Sequence, residues 1–144
     1  MSANDHTVPK LSLVRIGAGD NGTLGNPTYL DFYIHSLDMN PNTNLENYMT
    51  DTIKQESDAC QVCNFDLIYS STENATLAGR PAFQIVYSTL TLEDPPKLHK
   101  TMITGTIIGN SLYKAYYRAF VPDFSTYSDT VKKMIDSIQI DPTL

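Results

Sequence analysis

The sequence predicts an α+β fold in which an antiparallel β-sheet is flanked by helices. Several stretches alternate apolar and polar residues with the period of two that is typical of half-buried strands. Two others repeat apolar residues at the three- and four-residue spacing of amphipathic helices, one before and one after the central hairpins. A chain of 144 residues is long enough to bury one core. We therefore expect a single domain at residues 10–141, preceded by a flexible lead at residues 1–9.

The first part of the chain predicts two strands. Residues 11–16, LSLVRI, alternate well enough for a short strand, and the GAGDNGTLGNP that follows is rich in turn formers and predicts a loop. Residues 29–37 predict a clear strand. Its residues fall on two faces, an apolar one with Leu30, Phe32 and Ile34 and a mixed one with Asp31, Tyr33 and His35.

A helix is predicted next, ending at about Ser57. Thr43 as N-cap and Glu46 three residues later form a capping box, in which each side chain accepts a hydrogen bond from an orphan backbone N–H. Apolar residues then recur at helical spacing, at Leu45, Met49 and Ile53. A short strand at residues 65–70 follows.

The second half predicts three strands and a closing helix. The turn at Ala78-Gly79-Arg80-Pro81 leads into a strand at residues 82–87, and a long strand covers about residues 98–108. Gly109-Asn110 is a two-residue hairpin signal before a further alternating strand. The closing helix is predicted to begin at Tyr127-Ser128-Asp129, with one apolar stripe at Tyr127, Val131, Met134, Ile135 and Ile138.

Charge and composition exclude some functions and favour a location. The net charge of −6 and the pI near 4.8 argue against nucleic-acid binding, which needs a cationic surface. No apolar run approaches the length that spans a bilayer, and the first ten residues lack the apolar core of a signal peptide. Sequons at Asn21 and Asn74, abundant Tyr, Thr, Asn and Ser, and scarce Lys favour an extracytoplasmic domain, exported or at the cell surface.

The two cysteines of the chain lie close together, in the stretch ACQVCNF that follows the first predicted helix. Cys60 and Cys63 could form a local disulfide or stay inert thiols, ligate a metal, or serve redox chemistry or an intermolecular bridge. A thioredoxin-like role is disfavoured, because there the pair begins a helix. A metal site would be completed by His99, near a strand start, and would suit zinc or copper.

A second candidate site lies on the strand after the Gly109-Asn110 hairpin. Lys114, Tyr116 and Arg118 share one face of this strand, opposite Tyr113 and Tyr117. Aromatic and arginine side chains favour interfaces, so the three residues are a candidate partner-binding surface. The alternative, which a sheet covered by helices favours, is that they lie beneath a helix. No Gly-x-Ser-x-Gly elbow or other catalytic motif is readable, so we expect no enzyme.

Three segments together resemble the PsbP family: AGRPAFQIVYS, IIGNSLYKAYYRAF and YSDTVKKMIDSIQI. They are similar above all to the PsbP-like domains of exported archaeal proteins, over roughly residues 28–140. One feature departs from the family. Its members open with a strand that ends in an aromatic-Pro-x-x-Trp motif, and this chain has no Trp, so the first family strand is expected to be missing or altered.

The resemblance implies a sheet sandwiched by helices and an accessory role without catalysis. In phototrophs, members of this family are extrinsic subunits that help photosystem II retain calcium and chloride. Calcium is thus a further candidate ion, but no family motif for its site matches this chain. We expect a protein partner in a membrane-associated complex. If the first family strand is missing, the edge of the sheet that it would cover is open to pairing with a strand of another chain. An edge-strand dimer is therefore a second expectation.

Overall fold

The computed structural model describes residues 9–15, 29–36, 44–91 and 94–139. Two helices and six strands occur in this part of the chain, and all neighbouring strands pair antiparallel in the order β1-β2-β6-β5-β4-β3. The α+β prediction is confirmed. The elements are β1 (Pro9–Arg15), β2 (Tyr29–Ser36), α1 (Leu45–Ala59), β3 (Asp66–Leu77), β4 (Arg80–Leu90), β5 (Leu98–Ile108), β6 (Ser111–Phe120) and α2 (Val121–Asp136).

The two helices cover opposite faces of the sheet, which gives the predicted α/β/α sandwich. Alternate residues of each strand therefore enter different cores. One core lies under α1 and is built on Phe83, Ile85, Tyr87, Ile103 and Leu112. The other lies under α2, where Phe124, Val131 and Ile135 pack on the sheet residues Leu30, Phe32, Leu77, Ala82, Met102, Ala115, Tyr117 and Ala119.

Several elements lie where the pattern predicted them. The strand β5 has the predicted bounds, and Gly109, at a φ of 59°, occupies the hairpin turn into β6. In β2, Leu30 and Phe32 are buried on the apolar face as expected. The turn between β3 and β4 places Ala78 and Gly79 at φ values of 56° and 74°, a backbone conformation that glycine adopts without steric cost.

The start of each helix corrects the prediction. The N-cap of α1 is Asn44, whose side-chain oxygen accepts a 2.9 Å hydrogen bond from the backbone N–H of Asn47. The predicted cap, Thr43, lies outside the described residues. The helix α2 begins at Val121, six residues before the predicted Tyr127, because Pro122 fits the first helical turn, where its missing N–H costs nothing.

The strands β3 and β4 are longer than predicted. The mostly polar residues 71–76 extend β3 along the rim of the sheet, where a continuous apolar face is not required, and Leu77 at the end of the strand is fully buried in the core under α2. The sequon residue Asn74 therefore lies in a strand and not in a loop. Within the described residues, neither α1 nor α2 has the length and apolar character of a membrane-spanning helix.

Candidate functional site

The cysteine pair forms a disulfide directly after α1. Cys60 is the C-cap of that helix, and its sulfur is bonded to that of Cys63. The carbonyl oxygen of Cys63 accepts a 2.6 Å hydrogen bond from the backbone N–H of Leu90, at the end of β4. The disulfide loop is thus joined to the sheet, and within it Val62 projects outwards with 68% of its surface exposed.

His99 interacts with two residues of β6. Its ring packs edge-on against that of Phe120, with centroids 4.4 Å apart, and its Nδ1 accepts a 2.9 Å hydrogen bond from the Nε–H of Arg118. A guanidinium only donates, so Nδ1 carries no proton and the ring proton is on Nε2. The side chain that sequence analysis assigned to a metal is therefore engaged by an arginine.

The three predicted metal ligands are not assembled in this structure. Among the residues that it describes, no three His, Cys, Asp or Glu side chains lie close enough together to hold a metal ion. Cys60 and Cys63 are brought together, but as a disulfide. Metal binding through them would first require reduction, because the thiolate is the ligand.

The candidate partner residues of β6 belong to a polar cluster beneath α1. Lys114, Tyr116 and Arg118 share a face, as predicted, and it is the face that α1 packs against. Lys114 is only 5% exposed, and its Nζ donates a 3.3 Å hydrogen bond to the hydroxyl of Tyr116. The Lys114 side chain is thus directed into the cluster and does not face outwards. Partner binding by these residues stays a prediction.

The centre of this cluster is a carboxylate that the sequence analysis did not single out. Glu56 of α1 accepts a 2.7 Å hydrogen bond from the hydroxyl of Tyr87 on β4 and a 3.4 Å bond from that of Tyr116 on β6. The Tyr116 ring also packs edge-on against Tyr33 of β2, with centroids 5.3 Å apart. One helical side chain is thereby linked to two strands of the sheet.

Burial and charge shift the protonation of the groups around Glu56. Burial, with the Glu56 carboxylate as the next cause, raises the pKa of Tyr87 and the pKa of Tyr116 well above the usual value. Burial lowers the pKa of Lys114, and the attraction of Glu56 opposes this shift without cancelling it. The two hydroxyls therefore stay protonated at neutral pH. They act as hydrogen-bond donors that hold α1 on the sheet.

A second feature is a set of exposed apolar side chains at one rim. Val62, Leu67, Ile68 and Tyr69, here called the apolar edge surface, follow one another along the disulfide loop and the start of β3. Ile68 is 51% exposed although it lies within a strand. Leu67 and Tyr69 pair with Tyr87 and Val86, which enter different cores, so these apolar groups lie on both faces of the rim. Exposed apolar groups concentrated in one region mark interaction sites more often than scattered ones do.

The other well-exposed large apolar residues of the described chain lie at the same end of the sheet. The strand registers place Asp66, Ser88, Lys100 and Ala119 in one row across four strands. Leu98 and Val121 are each two residues along the chain from a member of this row. The residues of the apolar edge surface are each within four residues of Asp66, the member of the row on β3. One end of the domain is therefore more apolar than the rest of its described surface.

The free edge of β3 is irregular. Its register with β4 shifts between Leu67 and Tyr69, and again between Ser71 and Ala75. Extra residues in an edge strand interrupt its row of backbone donors and acceptors, which discourages pairing with another strand. The apolar edge surface thus offers side chains more readily than a continuous backbone edge. The expected edge-strand dimer stays a prediction.

Comparison with known proteins identifies a shared fold and no family. No family model and no curated protein sequence matches the chain. A protein of unknown function from Pseudomonas aeruginosa, described as a candidate regulator, superposes with a TM-score of 0.63 at 10% identity, over 90% of this chain and 81% of its own. At that identity the match shows a common fold alone.

A second solved structure is that of cyanobacterial PsbP from Synechocystis. It superposes with a TM-score of 0.48 at 11% identity, over 86% of this chain and 78% of that one. This score is too low to decide family membership. The architecture agrees with the one that the PsbP resemblance implies, while membership of that family and the similarity to archaeal domains stay predictions.

Proposed function

We propose that this protein is a non-enzymatic accessory domain that docks onto a protein partner through the apolar edge surface. The observation that carries the proposal is the concentration of exposed apolar side chains at one end of the sheet, where Val62, Leu67 and Ile68 are all well exposed. Exposing them to water costs free energy that a partner would recover by covering them. The complex is proposed to be membrane-associated or at the cell surface.

The disulfide supports both the docking role and the location. By tying Cys60 to Cys63 it limits the conformations of the loop that presents Val62, so less entropy is lost when a partner immobilises that residue. Disulfides persist mainly in oxidising compartments. An extracytoplasmic protein is the setting in which this loop would keep its shape.

Affinity capture with matched variants tests the proposal. We expect one protein to be enriched from solubilised membranes of the source organism by the wild-type domain. It should be lost with Leu67→Thr/Ile68→Thr, which removes apolar surface but keeps strand-favouring residues. Ser70→Thr, on the same strand, is the control. Equal capture by all three proteins would contradict docking through this surface, provided that circular dichroism shows that all three are folded.

Metal binding by Cys60 and Cys63 is the alternative that the sequence offers. Native mass spectrometry of the protein, with thiol alkylation and with zinc, copper and calcium added in turn, separates the two readings. A mass lower than the reduced value by two hydrogen atoms, without alkylation and without metal, would favour the docking role. One bound zinc or copper that is lost in Cys60→Ser would make the metal reading primary.

A further inference from the structure

A cavity of about 340 Å³ opens between α2 and the outer strands of the sheet, on the face opposite the Glu56 cluster. It exists because α2 packs mainly on β6 and β5 and ends at Asp136, so the neighbouring part of β3 and β4 is not covered by the helix. Its volume is at the lower end of the range of small-molecule sites. An occupant is therefore limited to roughly ten to fifteen non-hydrogen atoms.

The floor of the cavity contains polar groups whose hydrogen-bonding capacity is poorly used. Thr104 is 1% exposed, and its hydroxyl accepts only a 3.5 Å contact from the side-chain amide of Gln84. The other acceptor of that amide is the sulfur of Met102, at 3.4 Å, and a thioether is a weak acceptor. Among the described residues, nothing accepts the Thr104 proton and nothing donates to the Gln84 side-chain oxygen.

Spare hydrogen-bonding capacity in the floor is where water or a ligand would bond. Thr104 is the buried member of the pair, whereas Gln84 is partly exposed. A buried donor or acceptor without a good partner costs on the order of 1–3 kcal/mol. Water or a ligand removes that cost. A ligand that reaches Thr104 must present both an acceptor and a donor, because the hydroxyl donates while the Gln84 oxygen accepts.

The mouth of the cavity carries one charge of each sign. Lys132 and Asp136 both line it, one helical turn apart on α2. Neither side chain forms a salt bridge with another described residue. A salt bridge between Lys132 and Asp136 themselves is disfavoured, because an i, i+4 ion pair in a helix is more stable when the acidic residue comes first. Both charges are therefore available to a ligand.

We propose that this cavity binds a free amino acid with a short polar side chain. Its carboxylate would meet Lys132, its ammonium group Asp136, and its side chain the Gln84 and Thr104 groups on the floor. An anion alone would be repelled by Asp136 and a cation alone by Lys132. Among the described residues, the lining has no aromatic ring on which a sugar or a nucleobase could stack. This site is separate from the apolar edge surface and does not depend on the docking role.

Isothermal titration calorimetry of the intact chain tests the site, with serine, threonine, asparagine and glutamine as probes and with phosphate, glucose and methylammonium as controls. We expect at least one amino acid to bind at one site per chain. Lys132→Gln, Asp136→Asn and Thr104→Val should each weaken that binding about tenfold or more. Lys133→Gln, a neighbouring exposed cation that does not line the cavity, should leave it unchanged.

Three outcomes would overturn the inference. They are the absence of binding by all four amino acids, binding that the three cavity variants leave intact, and tighter binding of phosphate, glucose or methylammonium that Thr104→Val weakens. Thr104→Val keeps shape and strand preference, and Lys132→Gln and Asp136→Asn alter exposed side chains. The variants should therefore fold, which circular dichroism checks.

Discussion

Removing the hydroxyl of Tyr87 should break the shortest hydrogen bond to Glu56 in the polar cluster that holds α1 on the sheet. Tyr87 is 5% exposed, and its hydroxyl lies 2.7 Å from the Glu56 carboxylate. A hydrogen bond to a charged group contributes about 1.5–3 kcal/mol. We therefore expect Tyr87→Phe to lower the free energy of unfolding by about 2 kcal/mol at neutral pH. Urea unfolding followed by circular dichroism measures this change. Tyr116→Phe is the comparison. It loses a 3.4 Å bond to Glu56 and a 3.3 Å bond from Lys114, and because both are longer than the Tyr87 bond it should cost less.

The same variant makes a prediction about pH. The pKa of Tyr87 is raised in the folded protein, so above its ordinary value of 10.0 the unfolded chain loses the tyrosine proton first. The contribution is thus complete below pH 10 and is lost as the pH rises towards the folded pKa. Stability should fall by up to about 1.4 kcal/mol per pH unit for each such tyrosine, and less steeply in Tyr87→Phe. An unchanged stability in Tyr87→Phe, or an unchanged alkaline slope, would refute the role given to this hydroxyl.

Three further predictions concern the core, the buried lysine and the disulfide. Gly105→Ala should destabilise the protein by about 1–3 kcal/mol, because the added Cβ would lie 2.7 Å from Cε2 of the fully buried Phe83 ring; a midpoint equal to that of the wild type in denaturant would contradict this. Lys114→Met should leave stability unchanged or raise it by about 1 kcal/mol at pH 7, because burial lowers the pKa of Lys114 and so opposes its charge; a large loss in thermal unfolding would show that the ammonium group is needed. Replacing Cys60 and Cys63 by Ser should lower the free energy of unfolding by about 2 kcal/mol for a loop of this size, and a reductant should have no further effect on the variant. A variant as stable as the oxidised wild type would show that the disulfide does not stabilise the fold.

Hydrophobic period and turn chemistry predict most of this sheet, because both are local properties. The end of β5 follows from the turn signal at Gly109-Asn110, and the two faces of β2 follow from simple alternation. The second half of β3 was missed because a rim strand can be polar on both faces. The first turn of α2 was missed because its proline resembles a break.

The candidate sites are less predictable, because they depend on contacts between distant residues. Alternation placed Lys114, Tyr116 and Arg118 on one face but could not show that α1 lies over it. The bond from Tyr87 to Glu56 joins residues 31 apart along the chain, and no local pattern encodes it. One local signal was available for the apolar edge surface. The consecutive apolar residues Leu67, Ile68 and Tyr69 cannot all point into one core from a strand.

Photocrosslinking in cells of the source organism tests the docking role most directly. A benzophenone amino acid at Ile68, in the apolar edge surface, is compared with the same group at Lys133, on the exposed side of α2. The docking role predicts one discrete adduct of higher mass from Ile68 and none from Lys133. No adduct at Ile68, or the same adducts from both positions, would contradict the claim that this surface is where the domain meets its partner.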